Sequence, residues 1–200
     1  MTTITYGTDA NDRFVLPYGA TGDRTAYLKD GRDAWDAGYS SGVQIIYGQG
    51  GDDYIRGGSA NDELHGGTGN DELNGMRGDD YIFAGAGQDH VMLGYGSDRV
   101  QLTVDAERDI ITLDLANGDD SGTNRIYSFG AEDIFRVQEN YFERDAILAA
   151  VEDLGWATRV VLDTASGEHE IFFQGEVDLT PDQFDGSIYL GAWAGGDFLA

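Results

Sequence analysis

From Gly48 to Gln101 an aliphatic side chain returns at every ninth position: Ile55, Leu64, Leu73, Ile82, Val91 and Val100. The six blocks read GQGGDDYIR, GGSANDELH, GGTGNDELN, GMRGDDYIF, AGAGQDHVM and LGYGSDRVQ, with no gap between them. Places one to six of each block are Gly-rich and short-sided, which suits turns that use positive φ. Places seven to nine are too short for a helical turn and suit a small strand with one inward side chain. Such a strand buries nothing alone, so blocks must stack, and the repeat predicts a solenoid. Two blocks per coil put one strand on each side of a flattened coil. Ile, Leu and Val then form a thin core between two parallel sheets.

The flanks are less regular. Residues 7–15, GTDANDRFV, read as one worn block with Asp12 in sixth place and Phe14 in eighth. From Leu16 to Tyr47 the register dissolves into an aromatic stretch with Asp23, Asp30, Asp33 and Asp36, read as irregular strands capping the N-terminal end. After Gln101, Arg108-Asp109-Ile110-Ile111 restarts the pattern after a small insertion. Arg125–Phe129 and Asp133–Val137 alternate like strands. Phe142–Leu154 puts Ile147, Leu148, Val151 and Leu154 on one helical face, and Gly155 suits a C-cap. Arg159–Asp163 and Glu170–Phe173 read as a hairpin, and Thr180–Phe184 as a helix start with Pro181 in its first turn. The expected fold class is all-β: a parallel β-roll (β-solenoid) of nonapeptide repeats, with an irregular N-terminal cap and a β-rich C-terminal cap containing one helix. The expected organisation is 1–47 as N-terminal cap with one degenerate repeat, 48–101 as the roll of six nonapeptides, and 102–200 as C-terminal capping region.

Charge changes the picture. Asp and Glu number 37 against 12 Lys and Arg, a formal net charge of -25. Such a chain repels nucleic acid and anionic lipid surfaces. No stretch approaches the length of an apolar membrane span, and Met1–Gly7 shows no basic and apolar leader. With no Cys there is no disulfide or thiol chemistry. The sixth place of every block is Asp: Asp53, Asp62, Asp71, Asp80, Asp89 and Asp98. Chance gives six such hits on the order of once in 10⁵ trials. If a coil is two blocks, Asp53 lies beside Asp71, Asp62 beside Asp80, Asp71 beside Asp89, and Asp80 beside Asp98. Carboxylates stacked roughly 4.8 Å apart repel without a counterion. Gly-rich turns direct carbonyl oxygens to the same edge. A flexible all-oxygen site suits Ca2+ better than Mg2+. Ion binding then becomes folding free energy. One site at 100-fold over its dissociation constant adds about 2.7 kcal/mol, so a few sites match the stability of a small domain.

The pattern G-G-x-G-x-D-x-U-x resembles the calcium-binding nonapeptide of the RTX family, and GGTGNDELN (residues 66–74) matches it at every place. The resemblance implies a parallel β-roll with Ca2+ between successive coils. It implies carboxylate ligands at Asp53, Asp62, Asp71, Asp80, Asp89 and Asp98, with Asp12 and Asp109 in the flanking blocks; Asp109 would close the last site. Carbonyl ligands would come from turn places around Gly48, Gly50, Gly57, Ser59, Gly66, Thr68, Gly75, Arg77 and Ala84. Departures are Gln49 and Met76 at place two, Ala60 at place four, and Ala84 and Leu93 at place one. They weaken those turns and leave the Asp register intact. The layout after the repeats resembles that of RTX exoproteins such as serralysins. The end, Asp197-Phe198-Leu199-Ala200, resembles the end of type I secretion substrates. The resemblance thus implies type I secretion machinery as a partner and an extracellular location: low cytosolic calcium leaves the chain open for export, and calcium outside folds it.

No catalytic constellation is legible. His169-Glu170-Ile171-Phe172-Phe173 begins like a zinc-protease helix, but Phe173 stands where the second His must be. His65 and His90, at places nine and seven, read as exposed roll residues outside any metal site. No nucleophile elbow is present. Gly66-Gly67-Thr68-Gly69 lacks the Lys-Ser/Thr of a phosphate loop. The loop 117–124 around Asp119-Asp120 lacks the spaced ligands and final Glu of an EF-hand. The expected function is that of a secreted, non-enzymatic protein that folds on several Ca2+ ions. The alternative is a calcium-dependent extracellular glycan-binding or adhesion module resembling the repeat modules of alginate epimerases, with a polysaccharide partner.

Overall fold

The computed structural model describes residues 2–114, 122–138, 151–154, 157–164 and 167–174. The chain coils into a flattened parallel solenoid. On one side run β1 (Thr3–Tyr6), β3 (Arg24–Asp30), β5 (Gln44–Gly50), β7 (Glu63–Thr68), β9 (Tyr81–Ala86), β11 (Arg99–Gln101) and β13 (Thr123–Tyr127). On the other run β2 (Arg13–Val15), β4 (Ala34–Asp36), β6 (Tyr54–Arg56), β8 (Glu72–Asn74), β10 (His90–Met92), β12 (Ile110–Asp114) and β14 (Ile134–Gln138). From β1 to β12 each strand pairs in parallel with the strand two further on, so β6, β8 and β10 align Ile55, Leu73 and Val91. This is the two-block coil that the spacing predicts.

The core is as thin as the pattern requires. Ile46, Ile55, Leu64, Leu73, Ile82, Val91, Val100, Ile111 and Ile126 are all fully buried. Burial of each such side chain stabilises by about 1.5–3 kcal/mol. Their strand neighbours face outward, as in β8, where only the central Leu73 is buried.

The roll does not begin at Gly48. Residues 39–47, 28–36 and 19–27 are further nonapeptides, with Ile46, Trp35 and Ala26 buried at place eight. The expected irregular cap over Leu16–Tyr47 is thus regular coil. Two short insertions hide the register, Leu16–Tyr18 and Ala37–Gly38, and Arg24 and Gln44 hold place six where Asp was sought. Outside the ten-stranded sheet the place-nine rings Tyr6, Tyr27, Tyr47, His65 and Phe83 stack face to face, with centroids 5.4, 5.0, 4.5 and 4.4 Å apart. His65 is therefore half-buried in a ring column rather than exposed. His90 is half-buried too. Its Nε2 lies 2.9 Å from Thr112 Oγ1, and burial, with Arg136 second, holds its pKa down to about 4.

At the C-terminal end β15 (Val151–Asp153), β16 (Ala157–Thr164) and β17 (Gly167–Gln174) complete the ten-stranded sheet. The expected hairpin is β16 and β17, antiparallel from Ala157↔Gln174 to Thr164↔Gly167. β17 also pairs in parallel with β13. Phe173 meets Phe129 and Phe135 edge-on, at 4.8 and 5.3 Å, and closes that end of the core. The expected helix over 142–154 is corrected in part: Val151–Asp153 is a strand paired with Thr158–Val160. Sheet pairing overrides the helical spacing there. Residues 142–150, the helix start at 180–184, the loop at 115–121 and the end at 197–200 lie outside the described residues.

Candidate metal-binding edges

Each place-six Asp stands just before a strand, where the turn enters the sheet. Because coils align in register, these residues form a row along each edge of the roll. Before the seven-stranded sheet the row is Asp12, Asp33, Asp53, Asp71, Asp89, Asp109 and Asp133. Each backbone N–H donates to the carboxylate Oδ1 of the next coil: Asp12 to Asp33 (2.7 Å), Asp33 to Asp53 (2.8 Å), Asp53 to Asp71 (2.8 Å), Asp71 to Asp89 (2.8 Å), Asp89 to Asp109 (2.9 Å) and Asp109 to Asp133 (2.9 Å). Before the ten-stranded sheet the same bond runs from Gln44 to Asp62 (2.7 Å), Asp62 to Asp80 (2.7 Å), Asp80 to Asp98 (2.9 Å) and Asp98 to the side chain of Asn124 (2.8 Å). The four stacked pairs expected from the spacing are all present. Asp33 and Asp133, missed in the sequence, extend the first row. A shift of two residues at Ala37–Gly38 conceals Asp33, and a longer insertion conceals Asp133.

These bonds use one carboxylate oxygen only. The Oδ2 atoms of Asp33, Asp53, Asp71, Asp80 and Asp89 are buried and meet no hydrogen-bond donor. Carbonyl oxygens stand beside those of Asp53, Asp71 and Asp80 instead. A Cβ placed on Gly48 would lie 2.4 Å from both Asp53 Oδ2 and the Gly66 carbonyl. On Gly66 it would lie 2.3 Å from Asp71 Oδ2 and 2.4 Å from the Ala84 carbonyl. At Gly57 the same space holds Asp62 Oδ2 and the Gly75 carbonyl, and at Gly75 it holds Asp80 Oδ2 and the Leu93 carbonyl. Gly at place one of these four blocks leaves an oxygen-lined cradle open between coils.

Other sequence-predicted positions are placed differently. The carbonyls of Gly50 and Thr68 accept backbone N–H groups from Gly31 and Gly51. Ser59 bonds the Ser40 carbonyl through both its N–H and its hydroxyl. The Arg77 guanidinium lies over the Tyr95 ring. At the first coil, Asp12 Oδ2 accepts the Thr8 N–H and hydroxyl. Asp62 Oδ2 accepts Gly58 N–H at 2.6 Å, and Asp133 Oδ2 accepts Gly130 N–H at 2.7 Å. A further row, unread in the sequence, sits at place five and runs in the opposite sense: Asp52, Asn61, Asn70 and Asp79 accept N–H groups from Asn70, Asp79, Gln88 and Ser97 of the following coil.

Burial makes the carboxylates poor anions while no cation is near. It is the largest cause at each, ahead of repulsion along the row, and the N–H bonds pull the other way. Asp62 and Asp71 rise to about 6. Asp53, Asp89 and Asp109 rise to about 7, and Asp80 to about 9. Asp33 and Asp133 are raised for the same reason. A divalent cation reverses this balance by attracting the ionised form. Among the described residues no three His, Asp or Glu side chains converge on one point. An ion between coils would therefore take carboxylates from the row and complete its shell with turn carbonyls. Such a shell is hard, oxygen-only and flexible, and it fits Ca2+.

Residues 40–73 and 65–100 match the sequence model of the RTX calcium-binding nonapeptide repeat. The repeats are of the RTX type. The match begins inside the block 39–47, in agreement with its place in the roll. Among solved structures, the extracellular lipase LipA from Serratia marcescens is similar over 90% of this chain, at 14% identity and a TM-score of 0.43. The chain spans 39% of that lipase. The AlgE6R3 subunit of the Azotobacter vinelandii mannuronan C5-epimerase is similar over 75% of this chain and 82% of its own, at 23% identity and a TM-score of 0.27. No curated protein sequence matches the chain.

Proposed function

We propose that this chain is a secreted, non-enzymatic module that folds when Ca2+ ions enter between its coils. The observation that carries the reading is that the buried Oδ2 atoms of Asp53, Asp71 and Asp80 meet no donor and each stands beside a carbonyl across a glycine cradle. Asp53, Asp71, Asp80 and Asp89 would hold the ions, with carbonyls of Gly66, Gly75, Ala84 and Leu93. Without the ions, self-repulsion at a net charge of -25 keeps the chain open. That state suits export through type I machinery at low calcium, with folding outside the cell. Among the described residues no helix is long and apolar enough to cross a membrane. The test is far-UV circular dichroism in EGTA, then in Ca2+, with Mg2+ as control. Most of the strand signal should develop with Ca2+ and not with Mg2+. A full β spectrum in EGTA at alkaline pH, where the row carboxylates are ionised, would overturn the reading.

A second reading is a calcium-dependent module for an anionic polysaccharide. Arg99 and Arg125 face each other on neighbouring strands outside the ten-stranded sheet. Each lies over an aromatic ring, Tyr81 and Phe172. Like charges so placed attract a polyanion. Gel shift with a polyuronate, with and without Ca2+, separates the two readings.

A further inference from the structure

One edge of the roll is acidic from end to end, and the other is not. Parallel register aligns Thr3, Arg24 and Gln44 in one column. The pairing Ile45↔Glu63 then sets Gln44 opposite Asp62, and the column continues through Asp80 and Asp98 to Asn124. Arg24 and Gln44 therefore occupy the place-six position of two successive coils on this edge. Both do what Asp cannot. Gln44 Nε2 donates to the Gly42 carbonyl at 2.6 Å, with Ser40 Oγ at 3.2 Å. Arg24 Nη1 donates to the Gly22 carbonyl at 2.9 Å. Gly22 and Gly42 both hold place four, so each side chain reaches back to the same carbonyl of its own turn. Gln44 and Ser40 are fully buried, so this contact is made away from water, where a donor facing a carbonyl counts most.

We propose that Gln44, seconded by Arg24, closes these coils without a metal: a side-chain N–H points at the turn carbonyl from place six, where acidic coils need a cation. The proposal rests on the calcium reading above and adds a division of labour to it. On this edge the coils of β3 and β5 hold together at low calcium, and the coils of β9 and β11 close on them when the ion arrives. A solenoid grows by adding coils to a formed neighbour, so a metal-independent start supplies the template.

Hydrogen exchange with mass spectrometry on the intact wild-type chain tests this. In EGTA, amides of β5 should exchange about tenfold more slowly than those of β9 and β11, and Ca2+ should protect all three. Equal exchange in β5 and β9 in EGTA, with protection of both by Ca2+, overturns the proposal and leaves the calcium reading standing. Equal protection with and without Ca2+ removes the calcium reading as well. Gln44→Glu sharpens the result, because it sets a carboxylate against the Gly42 carbonyl. It should remove the protection of β5 in EGTA and regain it in Ca2+. A Gln44→Glu chain protected like wild type in EGTA also overturns the proposal.

Discussion

The two edges of the roll share a nine-residue pattern and a hydrogen-bond ladder, yet they carry different charge. The edge before the seven-stranded sheet stacks seven carboxylates, Asp12 to Asp133. The edge before the ten-stranded sheet stacks three, Asp62, Asp80 and Asp98, between Gln44 and Asn124. The backbone bond to place six is the same in both. It needs only an acceptor oxygen, which Asn124 supplies as well as Asp does. Geometry along the roll is therefore set by the ladder, and ion demand by how many successive acceptors are anionic. On the proposed calcium reading the long row would take a file of cations, whereas the short row is closed off by amides.

Acid offers the largest test of this contrast. The row carboxylates have folded-state pKa values above the ordinary value near 4, so the metal-free fold is favoured by protonation. That contribution is fully present below about pH 4 and is lost as pH rises through about 6 to 9, the span from Asp62 and Asp71 to Asp80. In EGTA, circular dichroism should report a compact roll at low pH that opens on the way to alkaline pH. Carboxyl NMR should find Asp80, in the short row, ionising after Asp71, in the long one. With Ca2+ the sign reverses, because protons compete for the ligands. Opening on acidification in EGTA would break the account of burial.

Substitution along the rows gives the next effect. Asp71 serves both Asp53 and Asp89, whereas Asp98 has one carboxylate neighbour, Asp80. At about 2.7 kcal/mol per well-filled site, Asp71→Ala should lose about 5 kcal/mol in denaturant unfolding under saturating Ca2+, and Asp98→Ala about half of that. Equal losses would mean that ions are not shared between coils. The smallest effect concerns turns common to both edges. Lys29, Gln49 and Met76 hold place two at φ of 82°, 80° and 75°. Lys29→Gly, Gln49→Gly and Met76→Gly should each gain up to about 1 kcal/mol in thermal melts, regardless of edge. A loss in all three would show side-chain contacts outweighing backbone strain.

Much of this was open to reading in the chain. The place-eight aliphatics and place-six acids gave the coil, its two-block period and the stacked pairs, because each follows from spacing alone. The N-terminal coils stayed hidden because Arg24 and Gln44 break the Asp signal and two insertions break the count. Gly22, Gly42 and Ile46, at places four and eight, were the signal left over. The ladder to Oδ1 joins residues a full coil apart, so no local pattern announces it. Val151–Asp153 shows the converse, a helical spacing overruled by an antiparallel partner. His65 and His90 fall at outward-facing places yet are half-buried, because outward-facing residues of neighbouring coils shield one another.

The five stacked rings outside the larger sheet have an optical consequence. Tyr6, Tyr27, Tyr47, His65 and Phe83 lie with neighbouring planes within 20° of parallel. Transition dipoles so aligned couple, and the coupling weakens steeply as the rings part. The near-ultraviolet exciton signal of the three tyrosines is thus a native ruler for the rise between the earliest coils, readable without any attached dye.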